Sequence, residues 1–335
     1  MVIVRHQQGQ IAMSFKLVIL PPVTEVYRDW ANRLAAAVPE VTVVLAEGVQ
    51  QAQHEIVDAE AALGPLPVDL LKRAQRLRWL QAPQAAPPAG FYYPELIAHP
   101  AVVTNFREIF NDHIGAHIMA FLLAFARGLD RYIPQQTRRE WSKPENEAKG
   151  VVHLPEATAL IVGVGGIGAE AARLASAFGV KVLATDARRK EAPPGVAELH
   201  RPEDLDSLLP RADFVILTVP HTPQTEGFFN RARFQRMKRS AYFINIGRGK
   251  TTRLDDLVAA LRAGEIAGAA LDVFEQEPLP AEHPLWTMKG VLITPHMAGH
   301  GPYLDERRYE ILLENCRAML TGGKMRNVVD KANWF

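Results

Sequence analysis

ALIVGVGGIG (residues 159–168) passes from an apolar run straight into a glycine-rich turn, and a helix is predicted over 166–178. The turn Gly163-Val164-Gly165-Gly166-Ile167-Gly168 therefore joins a strand to a helix. Each glycine has a physical reason. Gly163 permits the tight turn, Gly165 lets the backbone approach a pyrophosphate, and Gly168 lets helix and strand pack closely. The helix N-terminus adds N–H donors and positive potential for phosphates. A second strand, VKVLATD (180–186), ends in Asp186, 18 residues past Gly168. An acid there is placed to accept from ribose hydroxyls. Alone, a glycine turn and a surface aspartate would explain these residues. Together they predict a Rossmann-type dinucleotide site at Gly163, Gly165, Gly166, Ile167, Gly168 and Asp186. The Asp186 charge would repel a 2′-phosphate, which favours NAD. Arg188, Arg189 and Lys190 pull the other way unless they are solvated surface charge.

Outward from this motif, further strands are predicted at 213–219, 241–246, 266–273 and 291–294, with helices between them, for example over 254–263. Upstream, strands are expected at 17–20, 41–45, 59–64, 77–82 and 102–105, with helical spacing over 24–37. Alternation of this kind predicts an α/β fold with two parallel-sheet domains. A long apolar helix, 111–128, is read as the link between them. TRREWSKPENEAKG (137–150) reads as an exposed loop, and Leu304–Leu320 as a closing helix.

The 335 residues suit two domains. Hydrophobic residues make up 48 % and charged ones 22 %, with a net charge of +1. That balance supplies no basic face for nucleic acid, and no apolar run reaches the roughly 18 residues needed to span a bilayer. The lone cysteine, Cys316, excludes an internal disulfide and points to a reducing, cytoplasmic compartment. It is expected as a buried apolar residue on the closing helix. Residues 1–12 are too short in apolar stretch for a signal peptide and are expected to be an upstream start or an appended tail.

Three ionisable residues each follow a predicted strand of the second unit. Arg248 follows AYFINI, Glu277 follows IAGAALDV, and His296 follows VLIT. Loops after strand C-termini line the ligand crevice of open α/β sheets, so these side chains can converge. Singly, each has an ordinary explanation as a salt-bridged, solvated or satisfied loop residue. Jointly they suit hydride transfer to the C2 carbonyl of a 2-oxo acid, where negative charge grows on oxygen. A general acid must protonate that oxygen and a cation should polarise it. His296 suits the proton transfer. The Glu277 carboxylate beside it would favour imidazolium. Arg248 can fork to carboxylate and carbonyl oxygens.

NIGRGKTTRLDDLVAALRAGEIAGAALDVFEQEPLPAEHPLWTMKGVLITPH (245–296) closely resembles the D-2-hydroxyacid dehydrogenases. So do Gly163–Gly168 with Asp186, VPHTPQTEGFFN (219–230), and the linking helix with its preceding VVTNFREIF. The resemblance implies a discontinuous flavodoxin-like substrate domain, 1–110 with 300–335, and a Rossmann NAD-binding domain, 111–299. It implies that Arg248 binds substrate, that Glu277 and His296 form the acid/base pair, and that Asp272 holds the nicotinamide carboxamide. Pro220, His221, Thr222 and Ile246 resemble cofactor contacts. A homodimer is implied, with Trp141 in an exchanged arm. The substrate-carboxylate loop, often Ser-Ala-Gly-Val, here reads Gln84-Ala85-Ala86-Pro87. Ala85 and Ala86 keep backbone donors, whereas Pro87 has none. Tyr303 either lines the pocket or starts the last helix.

The expected activity is therefore that of a dehydrogenase for a small 2-oxo or 2-hydroxy acid of the glyoxylate or hydroxypyruvate type. The alternatives are a dinucleotide-sensing interaction module and a related dehydrogenase acting on another small anion. His113/His117 and His296/His300 have i, i+4 spacing without a clear third ligand, so no metal is expected.

Overall fold

The computed structural model describes residues 14–85, 90–144 and 150–332. The chain divides into two compact units, Met1–Ile109 with Pro302–Phe335, and Phe110–Gly301. Residues 1–12 and Ala86 lie outside the described residues.

The first unit is a five-stranded sheet of β1 (Phe15–Ile19), β2 (Val41–Leu45), β3 (Ala61–Leu63), β4 (Trp79–Gln81) and β5 (Val102–Thr104). All pairs are parallel and the order is β2-β1-β3-β4-β5. This is the flavodoxin-like order. Its helices are α1 (Glu25–Ala37), α2 (Val49–Glu55), α3 (Val68–Leu71), α4 (Pro94–Ala98) and the closing helix, α11 (Leu304–Thr321). Helix α1 starts where Thr24 Oγ1 accepts from the Tyr27 amide at 3.3 Å, an N-cap that offsets an orphan donor. Strands β3 and β4 are shorter than their apolar runs.

The two chain ends make one body through buried polar groups. Trp79 Nε1 donates to Thr104 Oγ1 at 2.8 Å, and that hydroxyl donates to Gln81 Oε1 at 2.6 Å. Asn315 of α11 donates from Nδ2 to the same Gln81 oxygen at 3.3 Å, and its Oδ1 accepts from the Arg326 amide at 2.7 Å. Beyond α11 the chain returns antiparallel along β5, with Val329 N donating to Val103 O at 2.8 Å. Cys316 is buried on α11 as expected, and burial pushes its thiol pKa up to about 12.

The second unit holds β6 (Thr158–Val162), β7 (Lys181–Thr185), β8 (Glu198–His200), β9 (Phe214–Leu217), β10 (Tyr242–Asn245), β11 (Gly268–Leu271) and β12 (Val291–Ile293). They form one parallel sheet in the order β12-β11-β10-β9-β6-β7-β8. Counted from β6 this is the Rossmann order 3-2-1-4-5-6, extended by one strand. The helices are α5 (Asn111–Ala126), α6 (Leu129–Thr137), α7 (Gly166–Ala177), α8 (Leu205–Leu208), α9 (Arg231–Phe234) and α10 (Leu254–Arg262). One core packs Phe229, Phe234 and Phe243 with α10. The other packs Ile118, Leu122 and Phe125 of α5 with Ala171 and Ala175 of α7. The linking helix thus covers the second sheet with its apolar face. Among the described residues, no helix is long and apolar enough to cross a membrane.

Thr104→Val should destabilise the first unit by about 1–3 kcal/mol, because Trp79 Nε1 and Gln81 Oε1 lose a buried partner. Urea unfolding followed by circular dichroism measures it, and an unchanged midpoint would remove the network from the account of stability.

Candidate active site

The glycine turn lies between β6 and α7, beside β9, where the strand order reverses. Gly163 has φ +92, a left-handed conformation that glycine adopts without strain. A Cβ at Gly168 would collide with the Gly163 carbonyl oxygen, so the helix can approach the strand only because both residues are small. At Gly165 a Cβ would meet nothing within 4 Å. Gly165 is also the N-cap of α7 and makes no side-chain cap bond. Open space in front of a helix start fits a pyrophosphate, which would take up the first amides. Ile167 and Gly166 lie in that first turn.

Asp186, one residue past β7, does more than the spacing suggested. Its Oδ2 accepts from Val164 N at 2.8 Å, and its Oδ1 accepts from Arg188 N at 2.8 Å and Arg189 N at 2.9 Å. Burial pushes its pKa upward, but the three amides and the Arg189 charge outweigh that and hold it below the usual value. The carboxylate is thus a fixed anion that ties the glycine turn to the end of β7.

The loop after β9 closes on itself. Thr225 Oγ1 donates to the Pro220 carbonyl and accepts from Thr222 N, both at 2.7 Å. His221 Nε2 lies 3.3 Å from Glu226 Oε2. Thr218 Oγ1 donates to the Gly163 carbonyl, joining this loop to the glycine turn. Ile246 packs its side chain into the core.

Three strands carry the ionisable groups. Fully buried Asn245 ends β10 and shapes the Arg248 turn. Its Oδ1 accepts from Gly247 N at 3.0 Å, and its Nδ2 donates to the Arg248 carbonyl at 3.3 Å and to Thr252 Oγ1 at 3.0 Å. Arg248 is crowded by protein atoms while keeping accessible surface. Loss of water lowers its pKa from the ordinary guanidinium value, and the Glu277 charge opposes that. It remains a cation at neutral pH. Glu277 is held by Phe274 N, which donates to Oε1 at 2.9 Å, and its Oε2 lies 2.6 Å from His296 Nδ1. His296 sits at φ +51. Asp272, almost fully buried, accepts from Met297 N and Ala298 N at 2.9 Å and from Thr294 Oγ1 at 2.6 Å.

Glu277 and His296 therefore meet directly, with Arg248 within electrostatic reach of Glu277. Ala85 and Tyr303 belong to the first unit; Asn105 Nδ2 donates to the Ala85 carbonyl at 3.0 Å. Among the described residues, no group of three His, Cys, Asp or Glu could hold a metal ion. Asn245 and Thr294 escaped the sequence reading. Their signal was a polar residue ending or following an apolar strand, the position from which Asp186 was read.

Residues 119–298 match the model of the D-isomer specific 2-hydroxyacid dehydrogenase NAD binding domain. The chain belongs to the D-isomer specific 2-hydroxyacid dehydrogenases. This dehydrogenase is 35 % identical over 245 residues to a glyoxylate reductase of Thermofilum pendens, covering 71 % of this chain and 70 % of that one. It is 33 % identical over 304 residues to glyoxylate/hydroxypyruvate reductase B of Klebsiella pneumoniae, covering 88 % and 92 %. Its fold matches a D-isomer specific 2-hydroxyacid dehydrogenase of Xanthobacter autotrophicus, solved with NADPH and MES, at a TM-score of 0.81 and 29 % identity, covering 96 % and 100 %. The dehydrogenase is thus an oxidoreductase with a nicotinamide-dinucleotide domain.

Asn245→Ala should cost about 1–3 kcal/mol in stability through unpaired buried groups. It should also lower kcat/KM by about 10–100-fold as the Arg248 turn loosens. A thermal melt with steady-state kinetics tests both, and full activity would show that Asn245 does not set the Arg248 geometry.

Proposed function

We propose that the protein reduces glyoxylate, hydroxypyruvate or a similarly small 2-oxo acid to the 2-hydroxy acid, the D isomer wherever C2 becomes a stereocentre, with NADH as the preferred cofactor. The observation that carries this reading is the 2.6 Å pairing of His296 Nδ1 with Glu277 Oε2. Engagement of Nδ1 leaves Nε2 for the substrate oxygen. With the dinucleotide's pyrophosphate at the glycine turn, its nicotinamide would supply the hydride to C2. As charge grows on the carbonyl oxygen, His296 gives it the Nε2 proton, and Glu277 stabilises the imidazolium beforehand. Arg248 forks to substrate oxygens and polarises the carbonyl. In the oxidative direction, neutral His296 takes the hydroxyl proton.

Asp272, Pro220, His221, Thr222 and Ile246 are proposed cofactor contacts, the side chain of Ile246 being turned to the core. The first unit is proposed as the substrate domain. A homodimer is proposed through the cofactor-binding unit, where Leu129, Ile133 and Trp141 are exposed large apolar residues. A cytoplasmic setting accords with the single buried thiol.

The preference for NADH rests on the Asp186 anion. Against it stand Arg188 and Arg189 and the NADPH bound by the Xanthobacter relative. Steady-state kinetics over a panel of 2-oxo acids, with both cofactors, decides. The expected outcome is turnover of glyoxylate or hydroxypyruvate, with kcat/KM higher for NADH. Higher efficiency with NADPH would overturn the cofactor assignment, and no turnover on any oxo acid would favour a nucleotide-sensing module.

Glu277→Gln removes the charge beside His296. The variant keeps a hydrogen-bonding side chain but no anion, so kcat/KM for the oxo acid should fall by about 10–100-fold. Steady-state kinetics at saturating NADH, with a thermal melt as folding control, reads this. Wild-type kcat/KM in the variant would uncouple Glu277 from the proton donor.

A further inference from the structure

Thr294 follows β12 and precedes the His296 turn. Its hydroxyl donates to Asp272 Oδ1 at 2.6 Å and lies 3.0 Å from His117 Nε2. A hydroxyl has one proton to give, and the short bond to the carboxylate claims it. The His117 ring must therefore be the donor in the second bond, with its proton on Nε2. His117 stands half-buried on α5, where its ring meets Phe121 edge-on with centroids 4.7 Å apart. Burial lowers its pKa and the Asp272 charge, 3.9 Å away, works against that. A neutral ring donating from Nε2 satisfies both bonds.

The donor chain runs from His117 to Thr294 to Asp272. At its far end, Asp272 grips Met297 N and Ala298 N, the two amides that follow His296. His296 itself is at φ +51 and donates its amide to the Thr294 carbonyl at 3.1 Å. A non-glycine residue in that region is strained and persists only where its surroundings over-determine it. The turn is thus pinned from two sides, by Glu277 on the ring and by Asp272 on the backbone.

We infer that His117 and Thr294 are positioning residues that fix the Asp272 carboxylate and, through it, the His296 turn. They act on the backbone behind the histidine. The inference rests on His296 as proton donor. Removing the Thr294 hydroxyl takes a donor from Oδ1 and an acceptor from His117, so the turn can leave its strained conformation and the His296–Glu277 pairing is lost part of the time. The loss falls chiefly on the proton-transfer step, and the glycine turn and Asp186, which follow β6 and β7, stay as they are.

The test compares Thr294→Val with Thr294→Ser, and His117→Leu with His117→Gln, in oxo-acid reduction with thermal melts as folding controls. Thr294→Val should lower kcat by about 10-fold, with a smaller rise in the KM for NADH because Asp272 is also a proposed cofactor contact. Thr294→Ser should recover most of the loss, because it restores the hydroxyl without the methyl. His117→Leu should lose kcat like Thr294→Val, and His117→Gln, which keeps an N–H donor, should recover part of it. The double variant Thr294→Val/His117→Leu should be little worse than either single variant. Unchanged kcat in Thr294→Val, or a Thr294→Ser variant as impaired as the valine, would overturn the inference. If Thr294→Val does not fold, the His117 pair decides on the same terms. His296→Ala separates the two readings: an active His296→Ala removes the proton-donor role itself. An inactive His296→Ala beside a fully active Thr294→Val removes only the positioning role.

Discussion

The amides of Thr218, Ile246, Asp272 and Thr294 donate to the carbonyls of Val162, Leu217, Asn245 and Leu271, at 3.0 to 3.2 Å. They are the last rungs of four parallel ladders. Register makes them one row, since Val162 is level with Leu217, Leu217 with Asn245, Asn245 with Leu271, and Leu271 with Ile293. The glycine turn and the loops that carry Arg248, Glu277 and His296 all leave the sheet at this row. Parallel pairing forces that outcome, because each crossover returns the chain to start its next strand at the opposite edge. Residues 22 to 55 positions apart therefore begin their loops side by side, and short loops suffice to bring Glu277 onto His296.

At that row the sheet changes character. Strand interiors are apolar, whereas Asn245, Asp272 and Thr294 are polar and buried or half-buried. Burying such groups without partners costs several kcal/mol, so each is surrounded by donors and acceptors from its own loop. Asn245 binds both ends of the Arg248 turn, and Asp272 binds the turn that carries His296. The energetic demand of satisfying a buried group and the geometric demand of holding a reactive one are met by the same bonds. Such networks are rigid when complete and costly when broken, which suits side chains that must stay placed while exposed to solvent.

Apolar periodicity and glycine spacing were enough to read both sheets, the strand–turn–helix at Gly163–Gly168, and the three loops bearing Arg248, Glu277 and His296. Strand β8 was not legible, because Glu198-Leu199-His200 is a three-residue edge strand with only one apolar side chain. His117 was read as one half of an i, i+4 pair, and its actual partner, Thr294, lies 177 positions away. Asn245 was read as part of a strand; its polar side chain at the strand end marks the position, but not the turn that it clamps. Local spacing reports which edge a residue occupies. It does not report which distant groups meet it there, and positioning residues are defined by those meetings.

Asp186 shows how a residue can be located by spacing and still act otherwise than spacing suggests. An ionised carboxylate offers about four lone-pair sites, and three are already filled by the amides of Val164, Arg188 and Arg189. At most one remains for a ribose hydroxyl, so recognition by hydrogen bonding is thin. Its charge is not used up in this way. Two like charges 4 Å apart near a protein surface repel by about 4 kcal/mol, whereas exposed ion pairs contribute about 0–1 kcal/mol each. Arg189 is further restrained, since its Nε donates to the Val164 carbonyl at 2.6 Å. Under the proposed preference for NADH, then, the nucleotide is chosen chiefly by repelling a 2′-phosphate, and the same anion that does so holds the glycine turn in shape.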